Sequence, residues 1–206
     1  MALAKNAEEY IATQRQALAM NPDCGTTRYN LAVALLGQKK YDEAESELKE
    51  AVANSPTLAE AYVQLGGICL QRNDLDGCLA YNEKAVHARA GFSIGYGNIG
   101  FVHLQKGEPE KAIVALNKAI SFNSKFIQAW ASLASAHFML GELDKSIENA
   151  QKAIDLEPNF PVAYHNLALA LFEKKNYQAA IEMCDKAVQL GYDVPEGFLN
   201  ELKAHR

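Results

Sequence analysis

Cys69, His103 and His137 follow one another at equal intervals along the chain. Thiolate and imidazole are the commonest zinc ligands, so the trio first raises the question of a metal. One zinc ion needs its ligands to converge within about 2.0 to 2.3 Å of it. If each interval advances the chain by one packed helix layer of about 10 Å, Cys69 and His137 stand about 20 Å apart and cannot share an ion. The spacing therefore points to equivalent core positions, and neither a metal nor a cofactor is expected. The cysteines, at 24, 69, 78 and 184, form no CxxC pair and read as reduced, mostly buried thiols. No GxSxG, HExxH or P-loop occurs, and the glycines of GFSIGYGNIG follow no strand pattern, so they frame no phosphate site. No catalysis is expected.

The interval that separates the trio runs through the whole chain. Segments beginning at Arg28, Tyr62, Tyr96, Trp130 and Tyr164 repeat at that same period without a slip. In each, apolar residues recur at helical spacing, a short polar turn follows (GQKKYD, QRNDLD, QKGEPE, LGELDK, EKKNYQ), and a second helical pattern begins. Each copy therefore predicts a helical hairpin. Small residues fall where the two helices cross: Ala32, Gly66, Gly100, Ala134 and Ala168 on the first, and Ala51, Ala85, Ala119, Ala153 and Ala187 on the second. Acids near the start of the second helix, at Asp42, Asp76, Glu110 and Asp144, suit the positive end of its dipole.

Composition supports one packed, helical chain. With 49% apolar and 22% charged residues in 206, a sizeable core is available without disulfides. Lys and Arg number 20 against 25 acids, and the net charge of −5 gives no general attraction to nucleic acid or anionic lipid. No apolar run reaches membrane-spanning length, and the opening MALAKNAEEY turns acidic too early for a secretory segment, so a cytoplasmic setting is expected.

The pattern resembles the tetratricopeptide repeat (TPR) family over residues 25 to 194. The family's aromatic, Leu, small, Ala and Pro positions match Trp130, Leu133, Ala134, Ala153 and Pro158 in the fourth copy. Arg28 stands where the family places an aromatic, and Cys78 and Ser146 where it usually places Ala. The resemblance implies an all-α, right-handed α-solenoid of helix-turn-helix hairpins forming a single domain over 1–206. Its repeats are 25–58, 59–92, 93–126, 127–160 and 161–194. An amphipathic pattern over 3–20 looks like a second helix without its first, and Pro195 opens a C-terminal capping helix over 195–206 with Phe198, Leu199 and Leu202 on one face.

Stacked hairpins of this kind line a concave surface with their first helices. By resemblance, that surface is made by positions 2, 5, 6, 9, 12 and 13 of each repeat. Position 6 is Asn30, Gln64, Asn98, Ser132 and Asn166, a column of uncharged hydrogen-bonding groups. A carboxamide offers a donor and an acceptor in one plane, which matches the peptide groups of an extended chain. Tyr29, Val33, Phe101, Ser135, Phe138 and Leu169 supply apolar surroundings, with room expected between the second and fourth repeats, and His165 is the one histidine placed to meet a ligand. These positions hold no Lys or Arg while Glu60 and Glu173 add negative charge, so a free carboxylate terminus is a poor ligand. The expected function is therefore an adaptor or assembly factor that binds a neutral-to-apolar segment of a partner protein. The alternative is a scaffold whose N-terminal helix docks on another copy, giving a homo-oligomer.

Overall fold

The computed structural model describes residues 2–205, with side chains from residue 6 onward. The first residues of the 3–20 pattern therefore have side chains outside the described residues, and residue 206 of the capping segment lies outside them altogether. The described residues form twelve helices and no strand. After α1 (Ala2–Met20) come five hairpins: α2 (Gly25–Gly37) with α3 (Tyr41–Asn54), α4 (Ala59–Gln71) with α5 (Leu75–Ala88), α6 (Ser93–Gln105) with α7 (Pro109–Phe122), α8 (Ile127–Met139) with α9 (Leu143–Leu156), and α10 (Pro161–Glu173) with α11 (Tyr177–Gln189). The chain ends on α12 (Glu196–Lys203). The expected all-helical hairpin array is therefore present. Two compact units gather these elements, one up to Asn98 and one from Ile99 onward.

Each hairpin closes in the same way. Lys39, Asn73, Gly107, Gly141 and Lys175 occupy one repeat position and all have φ between 58° and 71°. The next residue donates its N–H five residues back: Lys40 to Leu35, Asp74 to Cys69, Glu108 to His103, Glu142 to His137 and Asn176 to Leu171, at 2.8 to 3.0 Å. This is the Schellman geometry, in which a left-handed residue lets the chain fold back on the last free carbonyls of the helix. The motif usually brings an apolar pair together across the turn. In the third and fourth repeats the pair is polar instead, with His103 Nδ1 at 2.7 Å from a Glu108 carboxylate oxygen and His137 Nδ1 at 2.6 Å from one of Glu142. Each histidine is thus partnered within its own turn. Among the described residues no cluster of three or more His, Cys, Asp or Glu could hold a metal.

The core of each unit lies between the paired helices. Ala32, Ala134 and Ala168 on first helices are fully buried, as are Ala51, Ala85, Ala119, Ala153 and Ala187 on second helices. With no large side chain at the crossing, the axes approach closely and Leu31, Leu48, Leu65 and Leu116 fill the flanks. Each such leucine contributes about 1.5 to 3 kcal/mol by leaving water. Burial pushes the Cys78 thiol up to about 11, so it behaves as a small apolar residue. Cys184 is buried too, whereas Cys24 and Cys69 are half-buried.

The departures from the repeat pattern are locally repaired. Trp130 Nε1 donates to the carbonyl of Ser124 at 2.9 Å, and the Tyr164 hydroxyl to that of Pro158 at 3.0 Å. Arg28 stands at the same repeat position and donates its Nε to the carbonyl of Pro22 at 3.1 Å while bridging Glu47 at 2.7 Å. Ser146 donates its hydroxyl to the carbonyl of Ala134 at 2.9 Å, so its burial leaves nothing unpaired. Repeat-to-repeat ion pairs add direction: Arg72 bridges Asp42 at 2.8 Å and Glu45 at 2.6 Å, and Lys174 bridges Asp144.

The two terminal helices continue the register of the repeats. Tyr10 stands one repeat length before the fully buried Ala44, yet is 46% exposed, and no first helix among the described residues covers that side of α1. Ile11 instead packs forward on Leu31 and Leu35. At the other end Phe198 and Leu202 are buried one repeat length after Tyr164 and Ala168. Glu201, however, is exposed where Leu167 and its equivalents are buried. A polar residue thus stands on the side where a second helix packs in the complete hairpins.

Candidate peptide-binding face

The first helices present the residues that the repeat positions single out, and their surroundings divide them into three groups. Asn30 and Gln64, on α2 and α4, are half-buried and form no side-chain hydrogen bond among the described residues. Tyr29 packs against the first core, and Val33 beside it is exposed. Asn98, on α6, is half-buried and donates its Nδ2 to Asn82 Oδ1 at 2.9 Å.

A second group meets in the second unit. Phe101, Ser132 and Ser135 line a cleft of about 370 Å³, with Leu104 and Met139 as apolar walls and Phe160 closing one side. Gln105 and Gln128 supply amides at its rim, and no charged side chain lines it. The small floor comes from Ala131 and Ser135, whose hydroxyl donates back to the Ala131 carbonyl at 3.3 Å. The opening therefore lies among the third, fourth and fifth repeats, one repeat later than the sequence suggested. Phe138 is half-buried and does not line it. Leu104, Gln105, Gln128, Met139 and Val162 follow from the inner-face positions, but Phe160 does not. It precedes α10 as the last residue of the fourth repeat, at a position the first-helix pattern omits although the other repeats hold Leu58, Phe92, Phe126 and Val194 there.

The third group is turned inward, which corrects the expectation for two residues. His165 is 7% exposed, stacks on Tyr192 with ring centroids 4.7 Å apart, and meets the edge of Phe198 at 5.9 Å. Its Nδ1 is enclosed without a hydrogen bond, and burial pulls the imidazole below its ordinary value. Asn166 is 7% exposed and donates its Nδ2 to the Ala131 carbonyl at 2.9 Å. Leu169 alongside packs partly into the C-terminal core. For His165 the cause is the C-terminal segment, whose Tyr192 and Phe198 pack on its ring. One acid of the inner positions is paired: Arg89 bridges Glu60 and holds its carboxyl below the usual carboxylate range.

No helix among the described residues is long and apolar enough to cross a membrane. No curated protein matches the sequence. Among solved structures, YrrB, described as a TPR protein with an unusual peptide-binding site, is 21% identical over 87% of this chain and 93% of its own, with a TM-score of 0.69. MamA from Desulfovibrio magneticus RS-1 is 23% identical over 82% of this chain and 95% of its own, with a TM-score of 0.70. The APC/C hetero-tetramer Cut9–Hcn1 is 18% identical over 97% of this chain and 39% of that one, with a TM-score of 0.80. At these identities the likeness is one of fold. Family profiles described as tetratricopeptide or TPR repeat match residues 11–59, 95–126, 134–175 and 161–190. Their spans fall on the hairpins built above, and the chain belongs to the tetratricopeptide repeat family, whose arrays are protein-interaction modules and not enzymes.

Proposed function

We propose that this protein holds an extended, neutral-to-apolar segment of a partner protein on its first-helix face, as an adaptor or assembly factor. The observation that carries the reading is the uncharged cleft of about 370 Å³ between first helices of the second unit. Its size lies within the range of ligand pockets, about 300 to 1,000 Å³. Phe101, Leu104 and Phe160 offer apolar contact to one bulky side chain, while Gln105, Gln128 and Ser132 can pair with the peptide groups on either side of it. Neighbouring helices about 10 Å apart and an extended chain of about 3.4 Å per residue give about three ligand residues per repeat. A charged ligand side chain would find no counter-charge in the cleft and would lose its hydration.

A phage-displayed library of random dodecapeptides tests this. Binders should carry one aromatic or branched apolar residue among uncharged neighbours. Ser135→Phe should fill the cleft and weaken them at least tenfold without moving the unfolding midpoint. Equal binding by the variant, or enrichment of charged peptides, rejects the reading.

A second reading has one observation in its favour. Tyr10 lies exposed on the side of α1 that a first helix covers in the complete hairpins. Self-association through that side would make the array a unit of a homo-oligomer. Removal of residues 1–22 would then convert an oligomer to a monomer in light scattering, whereas an α1 that only covers its own chain would lose stability at constant mass.

A further inference from the structure

We infer that Asn82 is a positioning residue for Asn98, fixing its side-chain amide inward so that this repeat offers a ligand an acceptor for a backbone N–H. The inference rests on the peptide-binding reading above and adds to it which way one rung of the amide column faces. Asn82 lies on α5 at the position filled by Leu48, Leu116, Ala150 and Cys184 in the other repeats. It is fully buried, in a core that elsewhere admits apolar side chains at this position. A buried carboxamide is costly unless both of its ends are paired.

Both ends are paired, and the pairing has a direction. Asn82 Nδ2 donates to the Cys78 carbonyl at 2.8 Å, and a carbonyl oxygen can accept only from the NH2 end of an amide. Asn82 Oδ1 must therefore face the other way, where it accepts from Asn98 Nδ2 at 2.9 Å. The backbone of α5 thus orients Asn82, and Asn82 orients Asn98. The side chain of Asn98 makes no other hydrogen bond among the described residues, and its oxygen is not enclosed. Gly66 makes this possible: a Cβ there would lie 2.6 Å from Asn82 Nδ2, so the amide occupies the space a side chain would need. Without the relay, Asn98 would be free to rotate and could show a ligand either its donor or its acceptor. With it, the acceptor is pre-oriented and less ordering is lost on binding.

The test uses the full chain and the tightest dodecapeptide selected from the random library. Asn82→Leu places at this site the residue found in the first and third repeats. Because Leu is close to Asn in shape, the unfolding midpoint should hold or rise. Affinity should nevertheless fall about three- to tenfold, as for Asn98→Ala, and the double variant should be no weaker than either single one. N-methylating the peptide bonds one at a time should find one position that weakens binding to the wild type but not to Asn98→Ala. Wild-type affinity in Asn82→Leu, losses that add in the double variant, or affinity falling only in step with the midpoint would each overturn the inference. In those cases the peptide-binding reading survives. A library that yields no binder at all overturns both.

Discussion

The amide of Asn166 donates to the backbone carbonyl of Ala131 at 2.9 Å, tying α10 to α8 one repeat earlier. Residues at the same repeat position therefore do different work. Asn30 and Gln64 are half-buried with no side-chain hydrogen bond among the described residues, whereas Asn166 commits its donor to a cross-link inside the second unit. What separates them is that bond, which leaves Asn166 7% exposed; its neighbour His165 is enclosed separately, by the rings of Tyr192 and Phe198.

Asn166→Ala should accordingly cost about 1 kcal/mol of stability, the net value of one buried neutral hydrogen bond. Asn30→Ala should stay within about 0.5 kcal/mol of wild type, as expected for a surface change that breaks no bond. Urea unfolding of both variants checks the contrast. Equal values would show that the Asn166 bond contributes nothing net.

The hairpin turns give a prediction of opposite sign. Lys175 holds φ at 62°, a conformation in which its Cβ crowds the following carbonyl. Gly107 and Gly141 occupy the same repeat position without that crowding. Lys175 is exposed, so its replacement removes little packing. Lys175→Gly should therefore stabilise the protein by about 0.5 to 1 kcal/mol, the left-handed strain being partly offset by the greater freedom of glycine in the unfolded chain. A fall in the midpoint would mean that the side chain makes a contribution larger than the strain.

The hairpins were legible in the sequence because their signals are local and repeated. A constant period, small residues at the crossings and polar turns all follow from helix geometry within one copy. Most residues lining the cleft stand at first-helix positions that the repeat period also marks. Contacts made outside the first-helix positions were not legible. Phe160 closes its repeat where Leu58, Phe92, Phe126 and Val194 close theirs, which marks it as apolar but not as a wall of the cleft, and Tyr192 belongs to the link leading to α12, where nothing announced that it would stack on His165. The Asn82–Asn98 relay was hidden differently: position 6 drew attention to Asn98, but its partner lies on the second helix, at a position the repeat pattern did not single out. The two histidines of the column each meet a glutamate of their own turn. Their pairing with Glu108 and Glu142 depends on the turn folding back by five residues, which spacing alone does not reveal.

Burial of His165 sets a pH dependence. Its imidazole titrates below its ordinary value of 6.5 in the folded protein, because enclosure beside Tyr192 and Phe198 penalises the charged form. Between the folded and unfolded values the unfolded chain binds more protons, so stability rises with pH there. The loss should begin as pH falls below about 6.5 and level off once the folded protein is protonated too. Glu108 and Glu142 act in a separate window: their histidine and lysine partners hold both carboxyls below the usual range, so their contribution is lost only as pH falls below about 4.5. His165→Phe should flatten the slope near pH 6 and leave the acid limb in place. Denaturant midpoints from pH 7.5 to pH 3.5 would reveal both windows, and an unchanged slope near pH 6 in the variant would remove His165 from the account.

Two glycines in first helices should respond to alanine in opposite ways. At Gly100 an added Cβ would lie 2.5 Å from Leu116 Cγ and 3.2 Å from the Ala112 carbonyl, in a crossing with no spare volume. Leu116 is fully buried and cannot swing aside without opening the core, so Gly100→Ala should cost about 1 to 3 kcal/mol. At Gly67 nothing lies within 4 Å of the same atom. There the gain in helix propensity stands alone, and Gly67→Ala should add about 0.5 to 1 kcal/mol. Thermal unfolding of the two variants side by side measures the difference. A loss at Gly67, or none at Gly100, would contradict the view that the helices approach most closely at the repeat's small-residue position and leave the next position open on the first-helix face.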